Sequence, residues 1–190
     1  NALVVVGSTL LCFAFFELVV FRTILPASDS PLLEFVNGLV RYAPNQQGIW
    51  RFRDEIAAPY RINQQGWNSG IGDYTRERTP GYTRIAVIGD SFIEAFEVPS
   101  TASMAEQLGR ELDETGRRSE VYRFANSGAP LSQYVNMAER EVAIYRPDWI
   151  IVNITHNDFV ESYRFAPNRY TSYFLKFRIE NSKIIGDLQP

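Results

Sequence analysis

Residues 84–91 read Arg84-Ile85-Ala86-Val87-Ile88-Gly89-Asp90-Ser91, and the fold class follows from them. Ile85 to Ile88 form a short unbroken apolar run closed by glycine, the pattern of a strand buried on both faces of a parallel sheet. Ser100 or Thr101 is placed to cap a helix in which Met104, Leu108 and Leu112 recur at i, i+4 and i+8, with Gly116 as its stop. Glu120 to Ala125 alternates as a strand. After Pro130, the residues Leu131, Tyr134, Val135, Ala138, Val142 and Tyr145 make one apolar helical stripe that Pro147 ends. Trp149 to Ile154 (WIIVNI) predicts a third buried strand. Strand, helix, strand, helix, strand is the order of an α/β fold with a doubly wound parallel sheet and right-handed crossovers.

In such sheets chemistry gathers outside the carboxyl ends of the strands, which directs attention to three places. After the first strand, Gly89 permits a sharp turn and Ser91 can project its hydroxyl above the sheet edge, with its own N–H near a helix start. After the second comes Asn126-Ser127-Gly128, where Gly128 is either a turn glycine or an open backbone donor toward an anion. After the third comes Thr155-His156-Asn157-Asp158, where Asn157 either starts a loop or offers its amide to that same anion. His156 and Asn157 are neighbours leaving a strand, so their side chains should diverge. His156 is therefore a poor base for Ser91 and reads as a structural or surface histidine.

The segment Ala2 to Phe21 (ALVVVGSTLLCFAFFELVVF) has the length needed to cross a bilayer. Its 13 Leu, Val and Phe residues favour insertion by on the order of 6 kcal/mol. Glu17 opposes this by about 2.5–3.5 kcal/mol at most, so the apolar sum wins. With no basic stretch before it, the segment reads as an uncleaved anchor rather than a signal peptide. Glu17 either snorkels toward an interface or contacts a partner helix. Pro26 to Pro31 (PASDSP) is a linker, Leu32 to Tyr42 a candidate interfacial helix, and residues 43–84 short strands and turns with Asn63-Gln64-Gln65-Gly66 as the clearest turn. The division is thus 1–25 for a transmembrane helix, 26–83 for linker and lead-in, and 84–190 for the α/β domain.

Composition narrows the function. Nineteen basic against 22 acidic residues give a net charge of −3, which argues against a nucleic-acid partner. One cysteine (Cys12) and one histidine (His156) leave no internal disulfide and few ways to build a metal site, so no cofactor or metal is expected. The stretch Phe159 to Lys183 interleaves Tyr163, Phe165, Tyr170, Tyr173, Phe174 and Phe177 with Arg164, Arg169, Lys176, Arg178 and Lys183. It reads either as an amphipathic cover for the open sheet or as a surface for an acidic glycan, lipid head groups or an acidic partner.

Gly89-Asp90-Ser91-Phe92, Asn126-Ser127-Gly128 and Asn157-Asp158, in this order and at these strand ends, resemble the blocks of the SGNH (GDSL) hydrolase family. Tyr60-Arg61-Ile62-Asn63-Gln64-Gln65-Gly66 is similar to the stretch preceding the domain in membrane-anchored bacterial members. The resemblance spans about residues 58–160 and implies a flavodoxin-like three-layer α/β/α fold. It implies Ser91 as nucleophile, with the Ser91 and Gly128 N–H groups and the Asn157 amide as oxyanion hole. It further implies esters, often acetyl groups of extracytoplasmic polysaccharides, as substrates, and a single-pass protein whose domain is periplasmic. Three features depart from the pattern. Thr155 stands where the third block opens with glycine, and the family's base, a histidine in a C-terminal Asp-x-x-His block, has no counterpart through Pro190. Three strands are read where the family has about five. The expectation is a weak or inactive esterase unless such a block follows Pro190. The alternative is a pseudoenzyme serving as accessory subunit of a membrane complex, assembled through the Glu17 face of its helix.

Overall fold

The computed structural model describes residues 1–163 and 173–188. The chain begins with an apolar helix, α1 (Ala2–Phe15), that continues as wider, i+5-bonded turns over Phe16–Ile24. Together they make 23 residues of mean hydropathy 2.4, none of them buried by the described residues, long and apolar enough to span a membrane. Two antiparallel hairpins follow, β1 (Leu33–Val36) with β2 (Leu39–Tyr42), and β3 (Gln47–Phe52) with β4 (Ile56–Arg61). The expected helix over Leu32 to Tyr42 is thus a hairpin. Asn37 and Gly38 at its tip both take positive φ (54° and 74°), the backbone that a two-residue hairpin turn demands. Residues 43–84 contain short strands and turns as read, including a turn at Gln64-Gln65.

The α/β unit comprises β5 (Thr83–Gly89), the one-turn helix α2 (Ser91–Glu94), α3 (Met104–Glu114), β6 (Ser119–Ala125), α4 (Leu131–Met137, prolonged by tighter and wider turns to Tyr145), β7 (Trp149–Val152) and α5 (His156–Glu161). The three strands are parallel in the order β6-β5-β7, with Gly89 opposite Ala125 and Ile88 opposite Val152. Side-chain alternation along the strands divides the core in two. Ile85, Val87, Val121 and Ala125 face Ile93 and Ala105, with Leu108 and Leu112 against them. Ala86, Ile88, Tyr122 and Phe124 face Tyr134, Met137, Val142 and Tyr145 of the α4 side, together with Trp67 and Tyr74. The result is the three-layer α/β/α arrangement expected from the sequence.

Two local expectations are corrected. Ser100–Ala102 forms a separate 3₁₀ turn, and the cap of α3 is Ser103, whose side chain accepts from Glu106 N–H. The third strand stops at Val152 and is not buried: Trp149 is 67% exposed, and Ile150, Ile151 and Val152 are also open. An apolar run predicts burial only if a layer covers it, and β7 is an edge strand paired to β5 alone among the described residues.

Past the sheet, Phe174 and Leu175 pack into the α4-side core, and β8 (Lys176–Glu180) pairs antiparallel with β9 (Lys183–Leu188). The described part of the aromatic and basic stretch is therefore divided between the end of α5, the core residues Phe174 and Leu175, and the β8 side of a hairpin. Its residues Arg164, Phe165, Arg169 and Tyr170 lie outside the described residues.

Candidate functional site

The parallel register brings the ends of β5, β6 and β7 to one rim, where Asn153 N–H donates to Ile88 C=O (2.9 Å). Ser91, Gly128 and Asn157 follow those ends by two, three and five residues, each partly exposed. The β5 turn is tight: a Cβ on Gly89 would sit 2.4 Å from Ile93 Cγ1, so only glycine lets α2 fold back at this point. Asp90 caps α2 by accepting from Phe92 N–H (3.0 Å), leaving Ser91 as the first helical residue with its N–H at the positive helix end. Gly128 has φ +74°, a backbone favouring glycine.

Side chains join the three loops. Thr155 Oγ1 is 3.4 Å from Asp90 Oδ2, which couples the β7 end to the β5 turn. The same hydroxyl lies 2.8 Å from Asn157 Oδ1 and 3.1 Å from Asp158 Oδ1; with one proton to give, it serves the closest first. Asn157 Nδ2 donates to Glu161 Oε2 (3.2 Å). The Asn157 amide is thus held at both ends, Oδ1 by Thr155 and one Nδ2–H by Glu161, which leaves the second Nδ2–H to donate to a bound anion. Burial raises the Asp90 carboxyl above its ordinary pKa, although Phe92 N–H and Thr155 oppose this. Asp158 is fully buried and accepts from Thr155 N–H (2.8 Å) and Tyr134 O–H (3.1 Å), fixing the start of α5. His156 is exposed, but not through strand alternation: β7 ends at Val152, and His156 and Asn157 are the first two residues of α5.

Sequence reasoning missed the residue that binds the β5 and β6 loops together. Glu94 ends the turn that Ser91 begins and is 1% exposed. Its carboxylate accepts from Tyr42 O–H (2.5 Å), from Ser127 N–H (3.0 Å) and from the Ser127 hydroxyl. Burial drives its pKa from 4.5 up to about 7, against the lowering effect of these donors. Burial and the neighbouring Glu94 carboxylate both raise Tyr42, so it stays a phenol. Arg123, buried in β6, donates to the Ile93 and Glu94 carbonyls (3.3 and 3.2 Å) and pairs with Glu106 (3.3 Å), supporting α2 from below. The signal for Glu94 was present: a lone carboxylate inside the apolar run Phe92-Ile93-Glu94-Ala95-Phe96 demands donors when buried.

No group of three or more His, Cys, Asp or Glu that could hold a metal occurs among the described residues. Partly exposed hydroxyl, backbone N–H and side-chain amide groups at one rim suit the attack of an oxygen nucleophile on a carbonyl and the stabilisation of the resulting oxyanion. The model of one family, GDSL-like lipase/acylhydrolase, matches residues 85–180, about half of the chain. No curated protein matches it.

Proposed function

Because the chain belongs to the GDSL-like lipase/acylhydrolase family, we propose that it is a membrane-anchored serine esterase or acyl transferase acting on an ester of an extracytoplasmic polysaccharide. The observation that carries this reading is the convergence of the three strand-end loops, with Ser91 at the head of α2. Ser91 Oγ attacks the ester carbonyl, its proton passes to a base, and the carbonyl oxygen takes the negative charge. The N–H groups of Ser91 and Gly128 and the Asn157 amide receive that charge. Collapse expels the alcohol with a proton and leaves an acyl-serine; water, or an acceptor hydroxyl in the transferase case, then takes the acyl group.

Proton removal is the slow part of this scheme. Within the 190 residues the only imidazole is His156, which is exposed at the start of α5 beside Asn157. A serine without an adjacent base is a weak nucleophile, and loss of a triad member costs several orders of magnitude in rate. Slow turnover is therefore expected of these residues acting alone.

The test is a fluorophosphonate probe on the membrane-reconstituted chain, where labelling is expected at Ser91 and is expected to vanish in Ser91→Ala. Absence of labelling in the unaltered chain overturns the esterase reading. It would favour a second one, an accessory subunit of a membrane complex, to which the uncovered apolar strand β7 lends support. A stoichiometric larger assembly surviving mild-detergent purification is what that reading requires.

A further inference from the structure

The end of the apolar helix is held against the β3–β4 hairpin by the linker between them. Asp29 N–H donates to Ile49 C=O (3.0 Å), Asp29 Oδ2 accepts from Ile49 N–H (2.8 Å), and Ser28 Oγ accepts from Arg51 N–H (2.9 Å). Residues 28 and 29 thus lie along β3, which brings Ile24 and Leu25 to the hairpin tip. Between helix end and tip is a pocket of about 520 Å³, lined by Thr23, Leu25, Arg51, Arg53, Asp54 and Ile56 among others. Neither the Arg51 nor the Arg53 guanidinium has an ion-pair partner among the described residues, and none pairs with Asp54. Arg53 lies over the ring of the exposed Phe52 (5.3 Å), and Ile24 and Leu25 are exposed beside them. Arg53 also takes φ +51°, a turn position that Gly or Asn would occupy at lower cost.

We propose that this pocket holds the headgroup of a membrane phospholipid carrying a primary ammonium, with the phosphate on Arg51 and Arg53, the ammonium on Asp54 and Phe52 in the interfacial layer. Its depth is right: a pocket beside the last turn of a membrane-crossing helix sits at the headgroup level. Its charges are right as well. Two guanidinium forks match a phosphodiester, and the carboxylate in the same wall can pair with a primary ammonium, which a glycerol headgroup lacks. The inference rests on the anchoring part of the function proposed above and not on its chemistry.

The experiment uses the full chain in phosphatidylcholine nanodiscs doped with phosphatidylethanolamine or phosphatidylglycerol, with retained lipid read by native mass spectrometry. Phosphatidylethanolamine is expected to be retained over both others, and Arg51→Ala/Arg53→Ala to lower that retention about tenfold. Asp54→Asn is expected to erase the preference over phosphatidylcholine. Fluorophosphonate labelling of Ser91 should be the same in all these variants. Retention that ignores the arginine substitutions, or follows phosphatidylglycerol instead, overturns the site. Release of the chain from membranes by alkaline carbonate would instead sink the anchoring on which it rests, and failure of Ser91 labelling alone would leave the lipid site standing.

Discussion

Glu94 shows how a single buried carboxyl can make its presence measurable. With a pKa near 7 in the fold against an ordinary 4.5, it binds its proton more tightly folded than unfolded. Its contribution to stability is therefore greatest at acid pH, declines as pH rises from about 4.5 to about 7, and is flat beyond. Glu94→Gln, which imitates the neutral form, is expected to lessen that decline; denaturant midpoints at pH 5 and pH 8 measure it, and an unchanged slope would contradict the assignment. At Asn157 the expectation concerns rate. Asn157→Ala should lower kcat by about 10²–10³ with little change in KM, the signature of a donor that acts on the developing oxyanion. The three rim residues could be picked out of the sequence because short motifs fall at strand ends. Glu94 and Tyr42 were not singled out there, because their partnership spans 52 residues and depends on a hairpin.

At the scale of elements, periodicity located β5, β6, α3 and α4, since each has a face or run that the core selects. It failed where local composition and tertiary context disagree. Leu32 to Tyr42 is apolar enough for an interfacial helix, yet Asn37-Gly38 turns it into a hairpin. At α3 the cap was legible but misplaced, because Ser103 with Glu106 three residues later is the capping pair. Ser103→Ala should cost about 1 kcal/mol in urea unfolding. Arg84 anchors β5 more heavily. Its guanidinium donates to Glu120 (2.7 and 2.9 Å) and to the carbonyls of Glu77 (2.6 Å) and Tyr145 (2.9 Å), and it lies over the Tyr122 ring. Arg84→Ala strips partners from all of these, and a loss of about 3 kcal/mol or more is expected by the same measurement.

Across the whole molecule, the three tryptophans report on how the layers are covered. Trp67 is fully buried, whereas Trp149 on β7 is largely open. Acrylamide should therefore quench a red-shifted component that Trp149→Phe removes, while Trp67 stays protected. If Trp149 resists quenching in the purified membrane form, something outside the described residues covers β7. The apolar N-terminal helix has its own reporter in Cys12, which no described residue covers. In sealed vesicles a membrane-impermeant maleimide should leave it unlabelled, and labelling should follow solubilisation.

The one-turn helix α2 carries Ser91 at its start and Glu94 at its end. Four residues cannot bend within themselves, so the hydroxyl and the carboxylate move as one crank. Any tilt that re-aims Ser91 must also tug on Ser127 and, through it, on the neighbouring backbone of Gly128. The proposed nucleophile and the proposed oxyanion-binding loop are geared to a common pivot, and a perturbation anywhere along Tyr42, Glu94 or Arg123 should detune both together.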